Sequence, residues 1–179
     1  MAVRKRDRAI ALFFASLFIL SSSALAIAVV IDGTQKKEDP GATSQQATST
    51  EEKANMLQGK PLEGFTPVAS IPTLDKIDTV PGTGTEVKAS DTVTVDYTGA
   101  VAATGVVFQS SLDSGQTVSF GLNQVIAGWT QGVPGMKVGG TRRLMIPANL
   151  AYGANPPAGS GIPANADLVF DITLHSIGE

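Results

Sequence analysis

The side chains able to act as chemical groups are few. His175 is the only histidine, and there is no cysteine. Thiolate metal sites, cysteine nucleophiles and disulfides are therefore excluded. His175 has no neighbouring ligand residue and no serine elbow to serve, so it reads as an ordinary strand-face residue. Asp96, Asp113, Asp167 and Asp171 lie in strand and turn contexts without the spacing of a general acid/base pair. They read as turn formers and solvated faces. "GTGTEV" and "GMKVGG" are glycine-rich, but they lack the lysine–serine/threonine pair of a phosphate loop and the dinucleotide fingerprint. No metal and no cofactor is expected. If this chain catalyses a reaction, it does so without a reactive group.

What remains is aromatic. Trp129 is the single tryptophan, and Tyr97 and Tyr152 are the only tyrosines. Trp129 sits in "NQVIAGWTQGVPGM", where Val125, Trp129 and Val133 recur at i, i+4 and i+8 with Ile126 beside them. That spacing predicts one short helix with an apolar stripe. Gly128 and Gly132 each cost about 1 kcal/mol relative to alanine inside a helix. Two of them together predict a helix laid tightly across a sheet.

The sheet is read from alternation. In "DTVTVDYTG", Val93, Val95 and Tyr97 share one face. "TRRLMIP" and "DLVFDITLHSI" are further strands. In the latter, Leu168, Phe170, Ile172 and Leu174 face one way, while Val169, Asp171, Thr173 and His175 form a mixed, partly exposed face. "PGTG" and "LDSGQ" are turn signals. The fold class is α+β: an antiparallel sheet curled over one short helix.

The N-terminal third has a different character. Residues 1–8 carry Arg4, Lys5, Arg6 and Arg8 against Asp7 alone. Residues 9–31 contain no charge, proline or glycine. As a helix they would span roughly 34 Å, enough for a bilayer core. The basic flank places the N-terminus in the cytoplasm and the remainder of the chain outside. The alternative is a cleaved signal peptide, with Ala24, Leu25 and Ala26 as the cleavage site and a secreted product. The long apolar run favours the anchor. Residues 32–60 have no aromatic residue and are rich in Thr, Ser, Gln, Lys and Glu. They read as a polar tether of roughly 30 Å reach, in which Ser49 and Glu52 could form a capping box. Residues 61–179 form the globular domain. Their five basic and ten acidic side chains argue against nucleic acid as a partner.

Within that domain, "VTVDYTG", "VFQSSLDSGQTVSFGLNQVIAGWTQGVPGMKVGGTRRLMIPANLAYG" and "GIPANADLVFDITL" resemble the FKBP-type peptidyl-prolyl cis-trans isomerases, in bacterial exported or membrane-anchored form. The motifs Y-T-G, F-x-S-S, V-I-x-G-W, G-M-x-x-G, A-Y-G and I-P-x-N-x-x-L-x-F occur in the family's order. The resemblance implies a half-wrapped antiparallel sheet with one helix in its concave face. It implies a pocket with Trp129 at its base and Tyr97, Phe108, Tyr152 and Phe170 as the catalytic aromatic residues. Val125, Ile126, Ile162 and Gln109 would complete the substrate-binding walls. The Ile126 N–H and the Tyr152 hydroxyl would hydrogen-bond a ligand carbonyl.

The implied partners are proline-containing polypeptides of exported proteins and macrolide inhibitors. Gln109 stands where many members have aspartate, which would weaken macrolide binding. Val118 stands roughly where some members have an aromatic wall residue, and the loop "GANPPAGSGIP" lacks an aromatic or histidine tip. The alternative function is a non-catalytic proline-peptide-binding or holdase-like module. An apolar set of this kind is also what any packed core contains, so the structure must show whether it forms a site.

Overall fold

The computed structural model describes residues 56–178. The anchor or signal segment 9–31, its basic flank 1–8, most of the tether and the Ser49/Glu52 box lie outside these residues. Among the described residues, no helix is long and apolar enough to cross a membrane.

Six strands form one antiparallel sheet: β1 (Asp75–Val80), β2 (Thr92–Val101), β3 (Val107–Ser110), β4 (Val118–Gly121), β5 (Thr141–Ile146) and β6 (Leu168–Gly178). The order is β1-β5-β6-β2-β3, and β4 also pairs with β2. The two halves of β2 serve different neighbours. Thr92–Val95 pair with β4, and Thr98–Ala100 pair with β3. Between β3 and β4 the chain turns through a short 3-10 segment, Ser111–Asp113. Register shifts at Thr94/Val95 against β6 and at Gly99/Ala100 against β3 add the local bend that curls a sheet.

The expected alternation sets the concave face. Val93, Val95, Tyr97, Leu144, Ile146, Leu168, Phe170, Ile172 and Leu174 are all buried there. One helix, α1 (Ala127–Gly132), crosses this face. It is shorter than the 123–136 stretch whose spacing predicts a helix. Ile126 is already extended, at φ −60° and ψ 150°, so Val125 and Ile126 belong to the turn that enters α1. At the other end Pro134 has no N–H to continue the ladder. The apolar stripe nevertheless holds: Val125, Ile126, Trp129 and Val133 are buried.

The two helix glycines have a measurable reason. A Cβ on Gly128 would sit 2.7 Å from Ile146 Cδ1, and one on Gly132 would sit 2.7 Å from Leu144 Cδ1. Both distances are shorter than real Cβ contacts. The helix backbone therefore lies directly on two β5 side chains. Arg142, on the same face of β5, secures the end of α1. Its Nη1 donates to the Gly132 carbonyl at 2.8 Å, and its Nε pairs with Asp78 Oδ1 at 2.6 Å.

The convex face departs from expectation. Val169 is completely buried rather than partly exposed, while Asp171 and Thr173 are half-buried and His175 is exposed. The cover is an irregular strap over residues 57–72. Leu62 and Ile71, with Leu57, Phe65 and Val68 at the margin, pack on Ala100, Ala102, Val107 and Val169.

Polar clamps fix the strap. Asp113 accepts from the Leu57 and Gln58 amides, and Asp167 accepts from the Ile71 and Ala148 amides, both at 2.7 Å. Arg143, ion-paired with Asp171, donates to the Glu63 and Gly64 carbonyls. Asp113, Asp167 and Asp171 are thus structural acceptors rather than solvated or merely turn-forming groups. Residues 57–60 of the expected tether join the sheet edge. The Gly59 amide donates to the Val107 carbonyl, and the Val107 amide donates to the Lys60 carbonyl.

Candidate active site

Five aromatic rings from five different elements meet on the concave face. Trp129 of α1 is edge-on to Tyr97 of β2 (centroids 5.7 Å, 84°), to Phe170 of β6 (5.5 Å, 89°) and to Phe120 of β4 (5.6 Å, 80°). Phe108 of β3 closes the group against Phe170 at 5.7 Å and 85°. Such T-shaped pairs bring the positive ring edge to the negative face, adding about 0.5–1.5 kcal/mol each beyond area burial. The rings form a rigid apolar floor.

Gly99 of the Y-T-G motif makes room for them. A Cβ there would lie 2.6 Å from Phe108 Cζ and 2.7 Å from Phe170 Cε1. The serines of F-x-S-S position Tyr97 from both sides. Its amide donates to Ser111 Oγ at 3.0 Å, and Ser110 Oγ donates to its carbonyl at 3.3 Å. Ser111 Oγ in turn donates to Asp96, whose other oxygen contacts His175 Nε2 at 2.7 Å. His175 therefore stands on the outer side of the sheet, in the support of the site and not in it.

The bulge in β3 explains how neighbouring residues reach the same side. Gly99 pairs with Gln109 and Ala100 with Val107, leaving Phe108 as the extra residue. Val107 packs in the convex cluster and Phe108 in the concave one. Gln109, opposite the concave-facing Gly99, follows Phe108 onto the concave side. A regular strand would have turned it away.

Val125, Ile126 and Ile162 belong to the same buried cluster, and Tyr152 packs against it half-buried. Tyr152 follows the 3-10 turn Ala148–Leu150, whose first amide is held by Asp167. Ile126 precedes α1, so its N–H falls outside the helical ladder. Burial pushes the Tyr97 hydroxyl well above the ordinary phenol value. Burial does the same to Tyr152, with a further rise from the adjacent Tyr97. Both remain neutral hydroxyls throughout the physiological range.

Phe120 joins the site although none of the sequence motifs includes it. Its position in "TVSFG", two residues beyond Val118, places it on the same strand face. Val118 is half-buried at the margin of the cluster, and Phe120 supplies the ring. Trp129 is 0% exposed. The half-buried Phe120 and Tyr152 form the accessible margin of this buried cluster. Among the described residues, no group of three or more His, Asp or Glu side chains is placed to hold a metal ion. The arrangement can bind an apolar ring, exclude water and donate hydrogen bonds. It offers no nucleophile.

This fold and this aromatic floor define a prolyl isomerase class of domain. The family described as FKBP-type peptidyl-prolyl cis-trans isomerase matches residues 84–175, from just before β2 to His175. This chain belongs to that family. A probable FK506-binding protein of Corynebacterium glutamicum is 50% identical over 100 residues, covering 55% of this chain and 82% of the relative. The isomerase FkpA of Aeromonas hydrophila is 52% identical over 96 residues, covering 54% of this chain but only 35% of the relative.

Among solved structures, the peptidyl-prolyl cis-trans isomerase of Pseudomonas syringae pv. tomato superposes with a TM-score of 0.54 at 30% identity. That match covers 78% of this chain and 99% of the other. FkpA of Escherichia coli superposes with the same TM-score at 35% identity, covering 74% and 58% respectively.

Proposed function

We propose that the chain accelerates rotation about X–Pro bonds in polypeptides, with the proline ring held on the Trp129 floor. The observation that carries this reading is the convergence of Tyr97, Phe108, Trp129 and Phe170, with Tyr152 at the margin, in a set of elements that offers no reactive group. Prolyl rotation makes and breaks no σ bond; it must cross an amide barrier of about 18–20 kcal/mol. The twisted amide has lost its resonance and much of its charge separation. A dry, apolar site therefore holds it better than the planar form, and that difference accelerates the reaction. Each tenfold gain needs about 1.4 kcal/mol, within reach of shape complementarity and one or two oriented hydrogen bonds.

The Ile126 N–H and the neutral Tyr152 hydroxyl supply those bonds to substrate carbonyls, while Val125 and Ile162 wall the ring. Gln109 reaches the same side as a neutral amide. It gives a macrolide a weaker acceptor than a carboxylate would, so such inhibitors bind this chain less tightly. Location follows the sequence: residues 9–31 anchor the chain in a membrane, Arg4, Lys5, Arg6 and Arg8 stay in the cytoplasm, and the substrates are exported polypeptides.

A protease-free isomerisation assay of the full chain on several X–Pro peptides tests the activity. Wild type should accelerate exchange, and Tyr152→Phe should lower kcat/KM about five- to tenfold for one lost oriented hydrogen bond. Peptide binding without any acceleration would assign the domain to a holdase-like role instead.

A further inference from the structure

The strand that carries Tyr97 has a gap in its pairing at that residue. On one side, β2 pairs with β6 without a break from Val95 to Val101. On the other side, pairing with β4 ends at Val95, opposite Val118, and pairing with β3 begins at Thr98, opposite Ser110. Asp96 and Tyr97 fall between the two. In an antiparallel ladder the N–H and C=O of one residue point to the same neighbour, and those of Tyr97 point into the gap. Side chains replace the missing strand there. The Tyr97 amide donates to Ser111 Oγ, and its carbonyl accepts from Ser110 Oγ.

The two serines are not held alike. Ser110 belongs to β3 and has a second partner in Thr98, hydroxyl to hydroxyl at 2.8 Å. Ser111 lies beyond the strand, in the 3-10 segment. A hydroxyl has one proton to donate and lone pairs with which to accept. The Ser111 proton goes to Asp96 Oδ1 at 3.0 Å, which turns the lone pairs toward the Tyr97 N–H. The other carboxylate oxygen contacts His175 Nε2 at 2.7 Å, so both oxygens are engaged and the carboxylate is fixed in direction. A carboxylate on the outer face thus orients a buried hydroxyl. That hydroxyl in turn holds the main chain beneath a ring of the aromatic floor. The Tyr97 ring meets both Trp129 and Phe120 edge-on, and a main chain that swings into the gap carries the ring away from them.

We propose that Asp96 is a positioning residue for prolyl isomerisation, acting through Ser111 to keep Tyr97 in place where β3 and β4 leave β2 unpaired. It touches no substrate. The proposal rests on the isomerase reading. It gives a role in the reaction to a residue on the face of the sheet opposite the site.

Rate measurements on the full chain with one X–Pro peptide test it. Asp96→Ala should lower kcat/KM about fivefold, as for one hydrogen bond no longer oriented. The loss should fall in kcat with KM near the wild-type value, because the place of the ring matters more to the twisted amide than to the planar one. Asp96→Asn keeps an oxygen to accept the Ser111 proton and should retain kcat within about twofold. Ser111→Ala should show the same loss as Asp96→Ala. The double variant should lose no more than Ser111→Ala alone, since the carboxylate acts only through the hydroxyl. Arg143→Gln, which releases the strap on the same outer face, should leave kcat unchanged.

The emission of Trp129, the only tryptophan, reads the displacement of Tyr97 without turnover. It should shift in Asp96→Ala and Ser111→Ala and stay at the wild-type position in Asp96→Asn and Arg143→Gln. Wild-type kcat in Asp96→Ala, an equal loss in Asp96→Asn or Arg143→Gln, or losses that multiply in the double variant overturns the positioning role. Absence of acceleration by the wild-type chain overturns the isomerase reading instead, and the emission series then decides alone whether Asp96 holds Tyr97.

Discussion

The two faces of the sheet are built by different rules. The concave face is set by side-chain period: alternate residues of β2, β5 and β6 point inward and meet one helix. The convex face is covered by a strap without regular secondary structure through most of its length. Its position is fixed by carboxylates and Arg143 gripping backbone groups. The first face derives its order from ring and methyl packing, which is short-ranged and demands shape. The second derives it from charge-assisted hydrogen bonds, which fix particular amides and carbonyls whatever the intervening sequence. The candidate site lies on the packed face, where water is excluded and rings are held edge to face.

Breaking each face in turn should separate their roles. Trp129→Ala removes the centre of the concave cluster and should cost about 3–5 kcal/mol in urea unfolding, with isomerase activity lost even where the variant remains folded. Asp167→Ala removes two short bonds, to Ile71 and Ala148, and should cost about 2–3 kcal/mol. Hydrogen exchange should then quicken at the strap amides Val68 and Ile71 while the β2 and β6 amides remain protected.

Gly128→Ala drives a methyl into Ile146 and should cost about 1–3 kcal/mol, more than the helix propensity of alanine returns. Equal stability of this variant and wild type would show that the helix does not lie as closely on β5 as the structure places it.

The smallest effect is in acid. Asp78 has its carboxyl held below the ordinary value, chiefly by the hydrogen bonds from Arg142. A depressed folded value means that its contribution is fully present above about pH 4 and disappears as pH falls through the folded value. Asp78→Asn should remove that part of the acid dependence in a denaturation series. The isomerase rate should stay flat between about pH 6 and 9, because Tyr97 and Tyr152 do not ionise there.

Much of the concave face can be read from the sequence, and the reasons are visible in particular residues. Val93, Val95 and Tyr97, and the Leu168–Leu174 series, alternate without interruption. Gly128 and Gly132 announce a close approach that the Ile146 and Leu144 contacts explain. The helix limits cannot be read from the stripe alone, since Val125 and Ile126 keep its spacing while adopting a turn. The strap escapes because Leu57, Leu62, Phe65, Val68 and Ile71 follow neither a period of two nor one of 3.6, and their partners lie far along the chain. The roles of Asp113 and Asp167 escape for the same reason: an acceptor for a distant backbone amide has no local signature. Phe120 could have been found, since it continues the alternation of Val118.

The extra residue in β3 makes the length of one segment matter more than its residue types. Phe108 and Gln109 share a side only because the strand is one residue longer than its partner requires. Removing any one residue between Val107 and Ser110 would straighten the strand and turn Gln109 or Phe108 outward, whereas exchanging the side chain at Gln109 leaves the geometry intact. Length is the protected quantity in this segment and residue type at position 109 is the free one. Ligand preference can therefore be changed by point substitution there, whereas a one-residue deletion would dismantle the wall itself.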